Sequence, residues 1–160
     1  MKKTVLPGLL LFLCILSSAW AEQGPADFNG IPWGADIRQL SGFIPLREFR
    51  DYKFCKRNAE IGVIDGAKVE EIRYEFYKDR FYSATVKFNG DQNFRLLLDS
   101  LLARYGAGEE RTTYVEEHEW SSGNLNMILK YSRTQKDGSL EYLFKPIFDQ
   151  ITRDENCCTP

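Results

Sequence analysis

VEEIRYEFYKDRFYSATVKFNGDQNFRLLLDSLLARYG, residues 69–106, changes its hydrophobic period from two to nearly four partway along, and that change sets the expected fold. Ile72, Tyr74 and Phe76 alternate with Arg73, Glu75 and Tyr77, as in a strand with one face on a core. After the polar turn Lys78-Asp79-Arg80, Tyr82, Ala84, Val86 and Phe88 resume the alternation, so a hairpin is expected. From Asp91 the pattern becomes helical. Phe94, Leu97, Leu98, Leu101, Leu102 and Tyr105 form one apolar stripe, with Asp91 as N-cap, Arg104 at the negative end and Gly106 as a left-handed stop. Burying those six side chains is worth on the order of 9–18 kcal/mol gross, before chain entropy is subtracted. This helix is expected to be the spine of the core.

Toward the N-terminus, FNGIPWGADIRQL (residues 28–40) contains the same Phe-Asn-Gly that precedes the helix at Phe88. Asp36 suits a first helical turn, Ile37, Leu40 and Phe43 follow at spacings of three, and Pro45 stops the element, so a short helix is expected. Tyr52 to Arg57 alternates as a strand, and Ile61 to Ile64 reads as another, ended by Asp65-Gly66. Toward the C-terminus, TTYVEEHEW, LNMILKY and SLEYLF predict three more strands, and Ile147, Phe148 and Ile151 after Pro146 could pack on the sheet. Each half thus reads Phe-Asn-Gly, helix, then strands. The shared letters mark a corner of the chain rather than a ligand loop. The expected fold class is α+β: two helices packed on an extended antiparallel sheet, with two α-β(3–4) pseudo-repeats at about 28–88 and 88–145 and a tail at 146–160.

Residues 1–21 have the form of an export signal: Lys2 and Lys3, the apolar run LPGLLLFLCIL, and the small-x-small site Ala19-Trp20-Ala21. Pro7 and Gly8 in the run, Ser17 and Ser18 near its end, and the lack of a basic stop-transfer cluster argue for cleavage rather than a membrane anchor. Leu13 is too bulky to favour lipid attachment at Cys14. The expected location is periplasmic or secreted, in a bacterium. The remaining 22–160 suffices for one domain with a core. Without Lys2 and Lys3 it carries 19 basic and 23 acidic residues, a formal charge of −4 that disfavours a nucleic-acid partner. No later segment is apolar enough to cross a bilayer.

With GIPWGADI, the YEFYKDRFYSATVKFNG hairpin and the LLARYG helix end, the chain resembles a loose group of small bacterial periplasmic proteins that open on a Gly-hydrophobic-x-Trp-Gly helix start. Its expected layout is similar to tandem helix-plus-sheet proteins such as the β-lactamase inhibitory protein, and each half to small outer-membrane assembly lipoproteins. The resemblance implies binding of other proteins, by analogy of fold, and carries over no functional residue.

Among candidate sites, Cys55, Cys157 and Cys158 are an odd set in an oxidising compartment. One disulfide from Cys55 to the tail pair is the economical reading, worth about 4–5 kcal/mol if unstrained. The cysteine left over could link a disulfide dimer. Alternatively, Cys157 and Cys158 form a redox or metal-binding pair. EEHE at Glu116 to Glu119 splits between two faces of a strand, two residues on each, so it reads as a solvated strand and not as a metal site. No catalytic, cofactor-binding or metal-ligating set is assigned, and an enzyme is the less favoured class. The interaction candidates are aromatic and cationic, Tyr77, Arg80 and Phe81 at the hairpin with Trp33 and Trp120 near element ends, but the favoured reading of the rings is that both sheet faces are covered and they are core. The favoured function is non-catalytic binding of another envelope protein, as inhibitor, adaptor or assembly factor. A glycan- or small-molecule-binding module is the alternative.

Overall fold

The structure is a computed structural model that describes residues 24–58, 62–112 and 114–157. The export signal and Cys158 lie outside the described residues. Strands dominate. One antiparallel sheet of eight strands runs in the order β3 (Phe43–Phe49), β4 (Tyr52–Arg57), β7 (Glu71–Tyr77), β8 (Arg80–Asn89), β12 (Asp137–Phe144), β11 (Leu125–Ser132), β10 (Glu116–Ser122), β9 (Glu109–Thr112). Two ribbons accompany it, β1 (Asp27–Phe28) with β2 (Ile31–Pro32) and β5 (Val63–Ile64) with β6 (Ala67–Lys68). The helices are α1 (Asp91–Tyr105) and α2 (Lys145–Asn156).

The expected pairing of two helix-led repeats on one sheet is overturned. Residues 37–43 do not form a helix: a 3-10 turn covers only Ile37–Gln39, with the Asp36 carboxylate accepting from the Arg38 amide at 2.9 Å. The segment is held to the β7–β8 corner on its N-terminal side, and on its C-terminal side Leu40 is already extended (φ −101°, ψ 147°) and leads into β3. Gly34 donates to the Phe81 carbonyl, Phe81 to Ala35, and Ile37 to Asp79. This segment therefore continues the ladder of β8 beyond the end of β12, whose last pair with β8 is Leu143 with Ser83. Among the described residues, the first half has no α-helix of its own.

The two Phe-Asn-Gly copies do different jobs. Asn29 (φ 51°) and Gly30 (φ 75°) are the two central residues of the β1–β2 hairpin, in which Phe28 pairs with Ile31. Gly90 (φ 87°) instead ends β8 and precedes α1. Only the second leads into a helix.

The expected hairpin at 69–88 and the helix over 91–105 are present. α1 buries Phe94, Leu97 and Leu101, leaving Leu102 at the surface, so the stripe stabilises by about 5–9 kcal/mol gross, less than six buried residues would. Its N-terminus is tied to the sheet: Asp91 accepts from the Tyr131 hydroxyl at 2.9 Å and from Lys136 at 2.8 Å. Those two bonds, Lys136 first, hold the Asp91 carboxyl below the usual carboxylate range. Ile72, Tyr74, Phe76, Val86, Met127, Leu129 and Leu140 complete the core under α1.

α2 packs a second, smaller cluster: Ile147 and Ile151 lie against Tyr77 and Tyr82. It follows the last strand and covers one end of the other sheet face. Tyr82 reaches that face because of a bulge. Glu75 pairs with Ser83 and Phe76 with Phe81, which leaves Tyr82 as the extra residue.

Candidate interaction surface

The sheet position of each aromatic decides whether it can meet a partner. The residues Lys78 and Asp79 both have positive φ (47° and 63°), a two-residue turn that closes β7 onto β8 with Tyr77 opposite Arg80. The bulge then returns Phe81 to the main core. Phe81 is fully buried, its ring stacked on Trp33 at 4.7 Å and near Phe76 at 5.4 Å. Tyr77 is buried under α2, and its hydroxyl donates to Asp154 at 2.9 Å. Trp120 is buried and donates its indole N–H to the Gly106 carbonyl at 2.9 Å. These three rings are structural. Trp33 is half-buried, its indole N–H bonded to the Pro25 carbonyl, and of the named hairpin residues only Arg80 is exposed.

The cysteine staple is not formed between the described residues. Cys55 and Cys157 are both free. Cys55 points from β4 into the α1-side core, and burial pushes its thiol up from the ordinary range. Cys157 caps α2 on the other side of the sheet, exposed.

The EEHE stretch is less solvated than its sequence implies. His118 is buried, stacked on Trp120 at 5.9 Å, and its Nε2 lies 3.2 Å from Glu116, which also takes Arg133. Glu117 and Glu119, on the other face, pair with Lys130 and Arg111. Among the described residues, no group of three or more His, Cys, Asp or Glu side chains could hold a metal ion.

The surface that sequence reading missed is at the opposite edge. Pro45 read as a terminator, yet residues 43–49 form a seven-residue edge strand, where a proline is tolerated because one side of the ladder is empty. Ile44, Leu46 and Phe49 on this strand are three of the large apolar side chains left exposed, Phe49 by 52%. Phe49 stands opposite Tyr52, and Phe54 follows two residues on, so the three rings share the face that α2 partly covers. Tyr52 and Phe54 stack at 6.5 Å, and Tyr52 touches Tyr77 at 5.0 Å. Guanidinium groups surround the outer two rings. Arg50 lies 5.2 Å and Arg47 6.0 Å from the Phe49 centroid, and Arg73 lies 5.9 Å from that of Phe54. The available signal was Arg-x-Phe-Arg at 47–50 beside an aromatic strand.

The tail of α2 borders this patch. Tyr52 donates to Glu155 at 2.6 Å, and Lys78 joins Tyr77 on Asp154 at 2.8 Å. Lys78 and Tyr77 hold the Asp154 carboxyl low, while burial and then Glu155 push the Tyr52 hydroxyl up. A cleft of about 580 Å³ opens between this helix end and the β3–β4 turn, lined by Arg50, Tyr52, Lys78 and Cys157 among others.

A family model for the TP0088 domain matches residues 39–154, and the chain belongs to that family. The match spans the eight-stranded sheet and most of α2, and it begins after the Gly30 to Gly34 motif. No curated protein and no solved structure matches the chain.

Proposed function

We propose that this chain is an exported, non-catalytic protein-binding module of the bacterial cell envelope. The observation that supports it is the concentration of exposed Ile44, Leu46 and Phe49 on one edge strand, beside Phe54 and three arginines. Aromatic and arginine side chains are enriched where proteins bind one another, and exposed apolar side chains gathered on one strand have a cost in water that a partner removes. A glycan module would use the same rings, but guanidiniums already lie over Phe49 and Phe54, which leaves less open ring for a sugar to stack on.

The test is formaldehyde crosslinking in intact cells, comparing the native chain with a Phe49→Ala/Phe54→Ala double variant that retains its circular dichroism spectrum. Loss of a specific crosslinked protein supports the reading. Unchanged crosslinking of every partner by the folded double variant rules this surface out.

A further inference from the structure

We propose that the β3–β4 face takes an acidic polypeptide segment, with Asp or Glu side chains seated against Arg47 and Arg50 around the ring of Phe49. The proposal rests on the protein-binding reading above and specifies the partner's chemistry. Two cationic groups share one exposed ring, at 6.0 and 5.2 Å from its centroid. Among the described residues neither has a carboxylate in ion-pair range, although their neighbours Lys53, Arg73 and Lys78 are paired with Asp79, Glu75 and Asp154. A guanidinium with no carboxylate partner gains from one placed beside it. A carboxylate on a partner would provide that gain. The hairpin as a whole has five basic residues (Arg47, Arg50, Lys53, Lys56, Arg57) against Glu48 and Asp51, in a chain whose formal charge is −2. Its charge is therefore opposite in sign to that of the molecule, which favours an acidic partner and disfavours a second basic hairpin.

The edge also restricts how the segment docks. Pro45 has no backbone N–H, and the β3–β4 register shifts between Pro45 and Arg47. Both features blunt an edge against strand addition. The contact is thus made through side chains, with carboxylates on the guanidiniums and an apolar side chain on Phe49.

The experiment places p-benzoyl-phenylalanine at Phe49 of the full chain, and at Gln135 on the β11–β12 turn as control, and irradiates intact cells. The crosslinked peptide is identified by mass spectrometry and synthesised. Its affinity is then read by fluorescence anisotropy against the native chain and an Arg47→Glu/Arg50→Glu variant. The expected result is a segment with two or more Asp or Glu residues, whose binding weakens about tenfold or more on charge reversal, and likewise when its acids are changed to amides. A protein segment without acids, or an affinity changed by less than about twofold on reversal, overturns the acidic specificity and leaves the binding reading standing. Crosslinks only to lipid, only to a second copy of this chain, or no stronger than at Gln135, overturn both.

Discussion

Replacing Phe81 by alanine tests whether the hairpin aromatics are core. The ring is fully buried, stacked face to face on Trp33 at 4.7 Å and 7°, and within 6 Å of Tyr74 and Phe76. A buried Phe→Ala change costs about 3–5 kcal/mol from lost transfer energy and the cavity left behind. Against a total stability of about 5–15 kcal/mol for a domain, that loss is about a fifth or more. With about 3–5 °C per kcal/mol for a chain of this size, Tm should fall by about 9–25 °C. Phe49→Ala, at a ring 52% exposed, should cost within about 0.5 kcal/mol. The assay is urea unfolding followed by tryptophan fluorescence, which Trp33 reports directly. Equal m-values for the two variants would show that the difference lies in stability and not in the denatured state. A loss below about 1 kcal/mol for Phe81→Ala, or equal losses at the two sites, would refute the assignment of faces by the bulge at Tyr82.

Three other outcomes follow from the packing and the charges. Gly138 lies under the Phe88 ring and beside the Lys130 carbonyl, where an added Cβ would collide with both, so Gly138→Ala should destabilise by about 1–3 kcal/mol in the same unfolding assay. Burial, then the charge of Glu75, raises the Glu141 carboxyl above its ordinary value. Its unfolded form ionises more readily, so its contribution to stability is full below about pH 4.5 and is lost as pH rises through the folded value. Glu141→Gln should therefore raise Tm at pH 7 and change it little at pH 4, and an equal effect at both would contradict the sign. Asp154 is shifted the other way, so its hold on α2 is present above the unfolded value of 3.8 and is lost as pH falls below it. Methyl NMR signals of Ile147 and Ile151 should report that step in the native chain and lack it in Asp154→Asn.

The parts of the fold that were legible are those with long, unambiguous periods. The stripe from Phe94 to Leu101 and the alternations in β7, β11 and β12 each specify an element and its buried face. What misled was local and short. Ile37, Leu40 and Phe43 have helical spacing, but pairing with Asp79 and Phe81 overrides a three-residue pattern, and Phe43 belongs to a strand. Phe-Asn-Gly fixes backbone freedom at Asn-Gly, which serves a hairpin turn at 29–30 as well as a helix start at 90. A single extra residue at Tyr82 exchanges the faces of Tyr82 and Phe81, and nothing in the alternation marks where a bulge falls. The candidate surface was hidden for a related reason. Pro45 punctuates most patterns, and only the sheet order shows that β3 is an edge where it is allowed.

The most direct test of the account is hydroxyl-radical footprinting of the purified chain and of the same chain in intact envelopes. In the purified chain Phe49 and the almost fully exposed Tyr114 should oxidise readily, and Phe81, at 0% exposure, should not. In envelopes, oxidation of Phe49 and Phe54 should fall while that of Tyr114 stays the same. Equal oxidation of Phe49 in both settings would contradict the binding surface, and oxidation of Phe81 at the rate of Phe49 would contradict the fold that creates it.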